Sequence, residues 1–152
     1  MKNRIFVDSS IWVYLFLDDE GAKSKVASAY ITKGAKSNQL VISCQVVNEV
    51  CRALKKKNYT EQEIRNIVED MMGLCEVRDN TGEIILMSFE LCEKYSFAYW
   101  DSQVVASALL SQCDILASED MQDGLKIADL IIKNVMKVKV ARATTNTGKV
   151  SP

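Results

Sequence analysis

Four acids carry the chemistry open to this chain: Asp8, Glu49, Asp101 and Asp120. Each follows or joins an apolar stretch, in the order IFVD, VVNEV, FAYWD and ILASED. The 152 residues include no histidine. That excludes histidine triads, His–zinc sites and imidazole acid–base catalysis, and leaves carboxylates, hydroxyls, lysines or a metal with oxygen ligands. Two carboxylates about 4 Å apart repel by roughly 4 kcal/mol at an effective dielectric of 20. Four that converge therefore need protons or a cation among them. An oxygen-only donor set suits Mg2+ or Mn2+ and disfavours zinc. Such a cation activates water and clamps phosphate oxygens, so phosphodiester hydrolysis is the natural chemistry.

Each acid also has an ordinary role to set against this one. Asp8 can cap a helix, Asp101 suits the first turn of one, and Asp120 fits a turn in SEDMQDG. Glu49 is the hardest to explain that way, because it lies mid-helix between Val47 and Val50.

The acids can meet only if the fold brings their segments together. Arg4–Asp8 reads as a buried strand, and Ser9 and Ser10 offer cap oxygens to a helix through IWVYLFL. A second helix is expected over 22–33, ended by a turn at Gly34, Ser37 and Asn38. Gln39–Ser43 reads as a strand. A helix then starts at Ser43 or Gln45, with Val46, Val47, Val50, Cys51 and Leu54 in helical spacing. Thr60 and Glu63 form a capping box for a helix reaching Gly73, and 74–78 is a candidate strand. Thr81 caps a further helix with Ile84, Ile85, Met87 (or Leu86), Leu91 and Cys92 inward. Residues 100–113 read as a largely buried helix, Ile115–Ser118 as a strand and Leu130–Val135 as an edge strand.

Strands alternating with helices predict one α/β domain with a mainly parallel sheet, whose sites lie outside the carboxyl ends of the strands. The domain is expected over 1–143, with a flexible polar tail over 144–152.

As a set, IFVDSSIWVYLF, VVNEV and YSFAYWDSQVVASALLSQCDILASEDMQDG resemble the motifs of PIN-domain ribonucleases, over about residues 3–140. The resemblance implies a three-layer α/β/α sandwich and metal-dependent RNA cleavage. Many compact bacterial members are VapC-type toxins, each held by a small antitoxin. By position it implies Asp8, Glu49, Asp101 and Asp120 as the acidic quartet, Asp123 as a supplementary metal ligand, and Ser118 as a hydroxyl near the metal or its water, on the substrate side. Asp8, Asp101 and Asp120 would hold Mg2+ or Mn2+, and Glu49 would orient or deprotonate the attacking water. Many relatives carry Asn two residues after the first Asp; this chain has Ser10 there. Glu119 is read as surface.

Arg52, one turn from Glu49, is a candidate phosphate contact, followed by Lys55, Lys56 and Lys57. Lys133, Lys137, Lys139 and Arg142 form a second basic set. Helix 11–17 is apolar all round, which invites cover from the domain itself, a homodimer partner or the antitoxin. No aromatic motif of the RNP type is present, so base stacking is not read from the chain.

The five cysteines form no CxxC pair, and no N-terminal leader or membrane-length apolar run is visible. A reducing cytoplasm is the expected setting. A non-catalytic RNA-binding or scaffolding PIN domain, and a housekeeping RNA-processing nuclease, remain the alternatives to a toxin; a different metal phosphohydrolase and a receiver-like domain lie further off.

Overall fold

The computed structural model describes residues 2–17 and 21–136. The expected tail, and Lys137, Lys139 and Arg142, lie outside them. Six strands form one sheet: β1 (Arg4–Val7), β2 (Gln39–Ser43), β3 (Glu76–Arg78), β4 (Ile115–Ala117), β5 (Lys126–Ile127) and β6 (Leu130–Lys133). Their order across the sheet is β3-β2-β1-β4-β6-β5, parallel throughout except for β5 against β6.

The helices are α1 (Ser9–Leu17), α2 (Ala22–Ser37), α3 (Cys44–Lys56), α4 (Glu61–Leu74), α5 (Gly82–Tyr95) and α6 (Tyr99–Leu110). The chain steps from β1 to β2 to β3 in one direction, through α1–α4. It then returns past both strands to β4, through α5 and α6. Right-handed crossovers running in opposite directions put their helices on opposite faces. Accordingly α1 packs on both α2 and α3, α3 packs on α4, and α5 packs on α6. The three-layer sandwich expected from the sequence is the fold observed.

The strands are short and closed to solvent: Phe6, Val7, Val41, Ile42, Leu116 and Ala117 are fully buried. Helix α6 is buried from Ser102 to Ala108. Its Ala106, Ser107 and Ala108 are small enough for a close approach of α5 and the sheet. The cap residues read from the sequence work as such. Ser43 Oγ accepts from Val46 N (3.2 Å), Thr60 and Glu63 form the capping box, and Thr81 Oγ1 accepts from Ile84 N (3.3 Å).

Three features differ from expectation, and a fourth takes one of the alternatives left open. Helix α2 does not stop at Gly34 but runs on to Ser37. Gly34 is buried, and a Cβ there would lie 3.0 Å from Leu40 Cδ2, so this glycine lets the helix approach β2 rather than turning the chain. Strand β6 is not an edge, because β5, too short to stand out in the sequence, pairs along it. Ile85 points outward, 37% exposed, since Ile84, Ser88 and Leu91 occupy the inner face of α5. The all-round apolar α1 is covered within the domain: Ile11 and Trp12 are buried, and Tyr14 to Leu17 pack half-buried on the core.

Gly34→Val puts a branched side chain against Leu40 and should lower unfolding free energy by about 1–3 kcal/mol. Urea denaturation measures this; a variant as stable as the parent would mean that α2 does not lie that close to β2.

Candidate active site

Between β1 and β4 the order of connection reverses: β1 leads to β2 on one side, and β4 leads to β6 on the other. Open parallel sheets form a crevice at such a point, at the carboxyl ends of the strands. Asp8 is the first residue beyond β1, and Ser118 the first beyond β4. Backbone bonds fix both. Asp8 N donates to Ala117 O (3.0 Å), and Ser118 N donates to Lys133 O (3.0 Å).

Asp8 is only 4% exposed. Its Oδ1 accepts from Ser9 N (2.8 Å), and its Oδ2 accepts from the hydroxyl of Ser118 (2.7 Å). Ser118 Oγ in turn accepts from Asp120 N (3.2 Å). One hydroxyl thus joins the first acid to the backbone of the last. Ser118 is itself fully buried. Its hydroxyl is engaged by Asp8 and Asp120, beside the acids as the sequence placed it, and reaches no open surface. Ser9 and Ser10 differ from their expected capping role. Both lie inside α1. The Ser9 hydroxyl bonds the Glu49 carboxylate, and Ser10 Oγ accepts from Glu119 N (3.3 Å). Ser10 is thereby tied to the loop after β4.

Asp101 comes from the first turn of α6, Glu49 from the solvent-facing side of α3, and Asp120 from the loop after β4. The structure brings all four acids together. Burial raises Asp8 to about 6 despite its two hydrogen bonds, with Asp120 and Asp101 adding to the rise. Glu49 is raised to about 7, by partial burial first and then by Asp8, Asp101 and Asp120. Its residue is exposed overall, but its carboxyl leans into the crevice where the other three charges lie. Asp101 is raised by burial and by Asp120, and Asp120 by burial and by Glu119. No cation among the described residues forms a salt bridge with any of the four.

Asp123 stands apart from this set. Its Oδ1 accepts from Asn134 N (2.9 Å) on the exposed surface, where it braces the turn after β6. Glu119 is less exposed than its surface reading: it accepts from the Tyr14 hydroxyl and pairs with Lys23 (3.4 Å), pinning the loop after β4 to α1 and α2. Arg52 lies where the sequence put it. It and Glu49 share the wall of a cavity of about 360 Å3.

Four mutually repelling carboxylates without a cation fit a hard divalent ion by the chemistry of their donors. As they lie, the set is gathered but open: among the described residues, no three such side chains already stand as a metal cage.

A family model of the PIN domain matches residues 5–135. The chain belongs to the PIN domain family. Solved structures share the PIN fold at low sequence identity. A chain of VapBC-1 from nontypeable Haemophilus influenzae is 18% identical with a TM-score of 0.65, covering 88% of this chain and 99% of that one. A chain of VapBC2 from Rickettsia felis, bound to a promoter DNA fragment, is 18% identical with a TM-score of 0.64, covering 86% and 97%. The sarcin-ricin-loop-cleaving toxin VapC20 of Mycobacterium tuberculosis is 15% identical with a TM-score of 0.58, covering 74% and 86%. A comparison with curated proteins gives no match.

The raised carboxyls fix a pH dependence for the metal-free PIN domain. A carboxyl whose folded pKa exceeds its unfolded value makes the fold bind more protons, so stability falls as pH rises through that window. For Asp8 the window runs from 3.8 to about 6. At pH 8 the ionised group costs roughly 3 kcal/mol, taking 1.36 kcal/mol per pKa unit. In EDTA, Asp8→Asn should therefore gain stability relative to the parent as pH goes from 5 to 8. Urea unfolding at both values checks this; a gap between the two proteins that does not change with pH would show that the buried carboxylate is unstrained.

Proposed function

We propose that this PIN domain is a metal-dependent endoribonuclease that hydrolyses RNA phosphodiester bonds, acting as the toxin of a type II toxin–antitoxin module. The observation that carries the nuclease reading is the quartet itself: four acids from four separate elements, charged against one another, at the sheet's switch point. A module that only bound RNA would gain nothing from concentrating negative charge where phosphates must approach.

Asp8, Asp101 and Asp120 would hold Mg2+ or Mn2+. When bound, the ion supplies Lewis-acid stabilisation of the charge that develops on the phosphate. Asp8 is kept ionised and aimed by Ser118 and Ser9. Asp123 is left out of this set, because it is not among the acids whose charges act on Asp8 and Glu49, and its Oδ1 accepts from Asn134 N. Glu49 takes the proton of the attacking water. A carboxylate beside the crevice can accept that proton and give it up again. The water oxygen bonds to phosphorus, the bond from phosphorus to the 3′-oxygen breaks, and that oxygen takes a proton from solvent water as it leaves. The products are a 5′-phosphate and a 3′-hydroxyl. Arg52, one turn from Glu49, offers a guanidinium to a phosphate of the same strand.

The toxin reading is supported by the VapBC pairs that share the fold, and it brings with it a small antitoxin and a homodimer as partners, in the cytoplasm. Because α1 is covered within the domain, a partner would more readily meet the exposed Ile85, Leu86 and Phe89 of α5. No helix among the described residues is long and apolar enough to cross a membrane.

Cleavage of end-labelled RNA by partner-free protein tests the activity. It should need Mg2+ or Mn2+ and stop in EDTA. Asp101→Asn should abolish it, and Glu49→Gln should slow it by about 10²–10⁴-fold. Asp101→Asn protein that cuts as fast as the parent would end this reading. Ser118→Ala should weaken metal affinity by roughly 10–100-fold, seen as a smaller metal-induced rise in Tm, with Ser118→Thr close to the parent. Equal metal responses in all three would remove Ser118 as a positioning residue.

A further inference from the structure

The cavity beside Glu49 is built from groups that the cleavage chemistry does not use. Besides Glu49 and Arg52, its wall carries four carboxamides, Gln45, Asn48, Asn80 and Gln103, together with Trp100 and Cys44. At about 360 Å3 it falls at the small end of the roughly 300–1,000 Å3 typical of small-ligand sites.

Trp100 is 64% exposed, which is costly for an indole unless something covers it in use. It is also held in place. Tyr99 meets its ring edge-on at 5.4 Å, Phe89 braces Tyr99 at 5.4 Å, and Gln45 Nε2 donates to the Trp100 carbonyl (3.2 Å). Gln103 is 4% exposed, and its Nε2 donates to the Tyr99 hydroxyl (2.9 Å). The side chains of Asn48 and Asn80 make no hydrogen bond to another described residue, so their donors and acceptors are open to a ligand.

A flat aromatic face, carboxamides that offer both donors and acceptors, and a guanidinium at the rim match one ligand chemistry: a planar heterocycle attached to phosphate. Unpaired RNA is recognised by splaying bases onto aromatic rings and bonding their edges. We propose, resting on the ribonuclease reading above, that this cavity takes one unstacked nucleobase of the RNA strand next to the phosphate at the acidic quartet. Trp100 is its stacking face, the carboxamides meet its edge, and Arg52 meets the adjoining phosphate.

The full chain is tested with a labelled single-stranded RNA and with the same strand carrying single abasic positions. Binding is read by anisotropy in the Asp101→Asn background with Mg2+, and cleavage in the parent background. Trp100→Ala should raise Kd and KM by about 5- to 150-fold while kcat and Tm hold, and Trp100→Phe should restore most of the loss. An abasic position beside the cut should make parent and Trp100→Ala behave alike. Unchanged Kd and KM in Trp100→Ala, or the same loss on every abasic strand, would overturn the pocket while leaving the nuclease intact. Trp100-dependent binding without any metal-dependent cleavage would do the reverse. Protein that neither binds nor cuts RNA would overturn both.

Discussion

A carboxylate this deeply buried stays ionised only if the protein holds its charge. Asp8 is held by one backbone N–H from Ser9 and one hydroxyl from Ser118, and these do not fully repay what burial costs it. The rest of the site is arranged around that deficit. Asp101, Asp120 and Glu49 do not relieve it; they deepen it, since each adds negative charge to the same crevice. The fold therefore carries an electrostatic debt at one point, and a divalent cation is the ligand that would cancel it. Stability has been given up where binding is needed, a common way for a functional site to break the rules that the rest of the sequence obeys.

The topology explains why those acids can meet although they are far apart in sequence. Each parallel strand ends at the same edge of the sheet, so a residue just past β1 and one just past β4 become neighbours through ordinary ladder bonds. The two helical layers then bring in one acid each, Glu49 from α3 on one face and Asp101 from α6 on the other. Ser118 ties the two strand-derived acids together, and Glu119, bonded to Tyr14 and Lys23, holds their loop against α1 and α2.

Much of this was legible because strong local signals agreed with the global fold. Ser43, Thr60 and Thr81 announce helix starts through their side chains, and IFV, LVI and ILA are short apolar runs that can only be buried strands. The misreadings share a cause: each depends on a neighbour remote in sequence. Gly34 looks like a turn until Leu40 is seen beside it. Two residues of β5 carry no pattern of their own and exist through β6. Ser118 reads as a group near the metal or substrate, and its full burial between Asp8 and Asp120 cannot be read from LASED. Asp123 has the composition of a ligand, and the bond it accepts from the Asn134 backbone comes from a residue remote in sequence. Trp100 was hidden by company, since it opens the most apolar helix in the chain and only the packing shows that it faces outward.

The β5–β6 pairing has a further consequence. The sheet ends on one side in the two residues of β5 and on the other in the three residues of β3. Among the described residues, neither rim presents enough unpaired backbone to recruit an extended peptide, which needs a longer run of free N–H and C=O groups to add itself as a strand. A protein that silences this domain must therefore recognise side chains, lying along a helical face or reaching into the crevice. Its specificity would be written in shape and charge rather than in backbone ladders, and chains of the same fold could then coexist in one cell without capturing each other's strands.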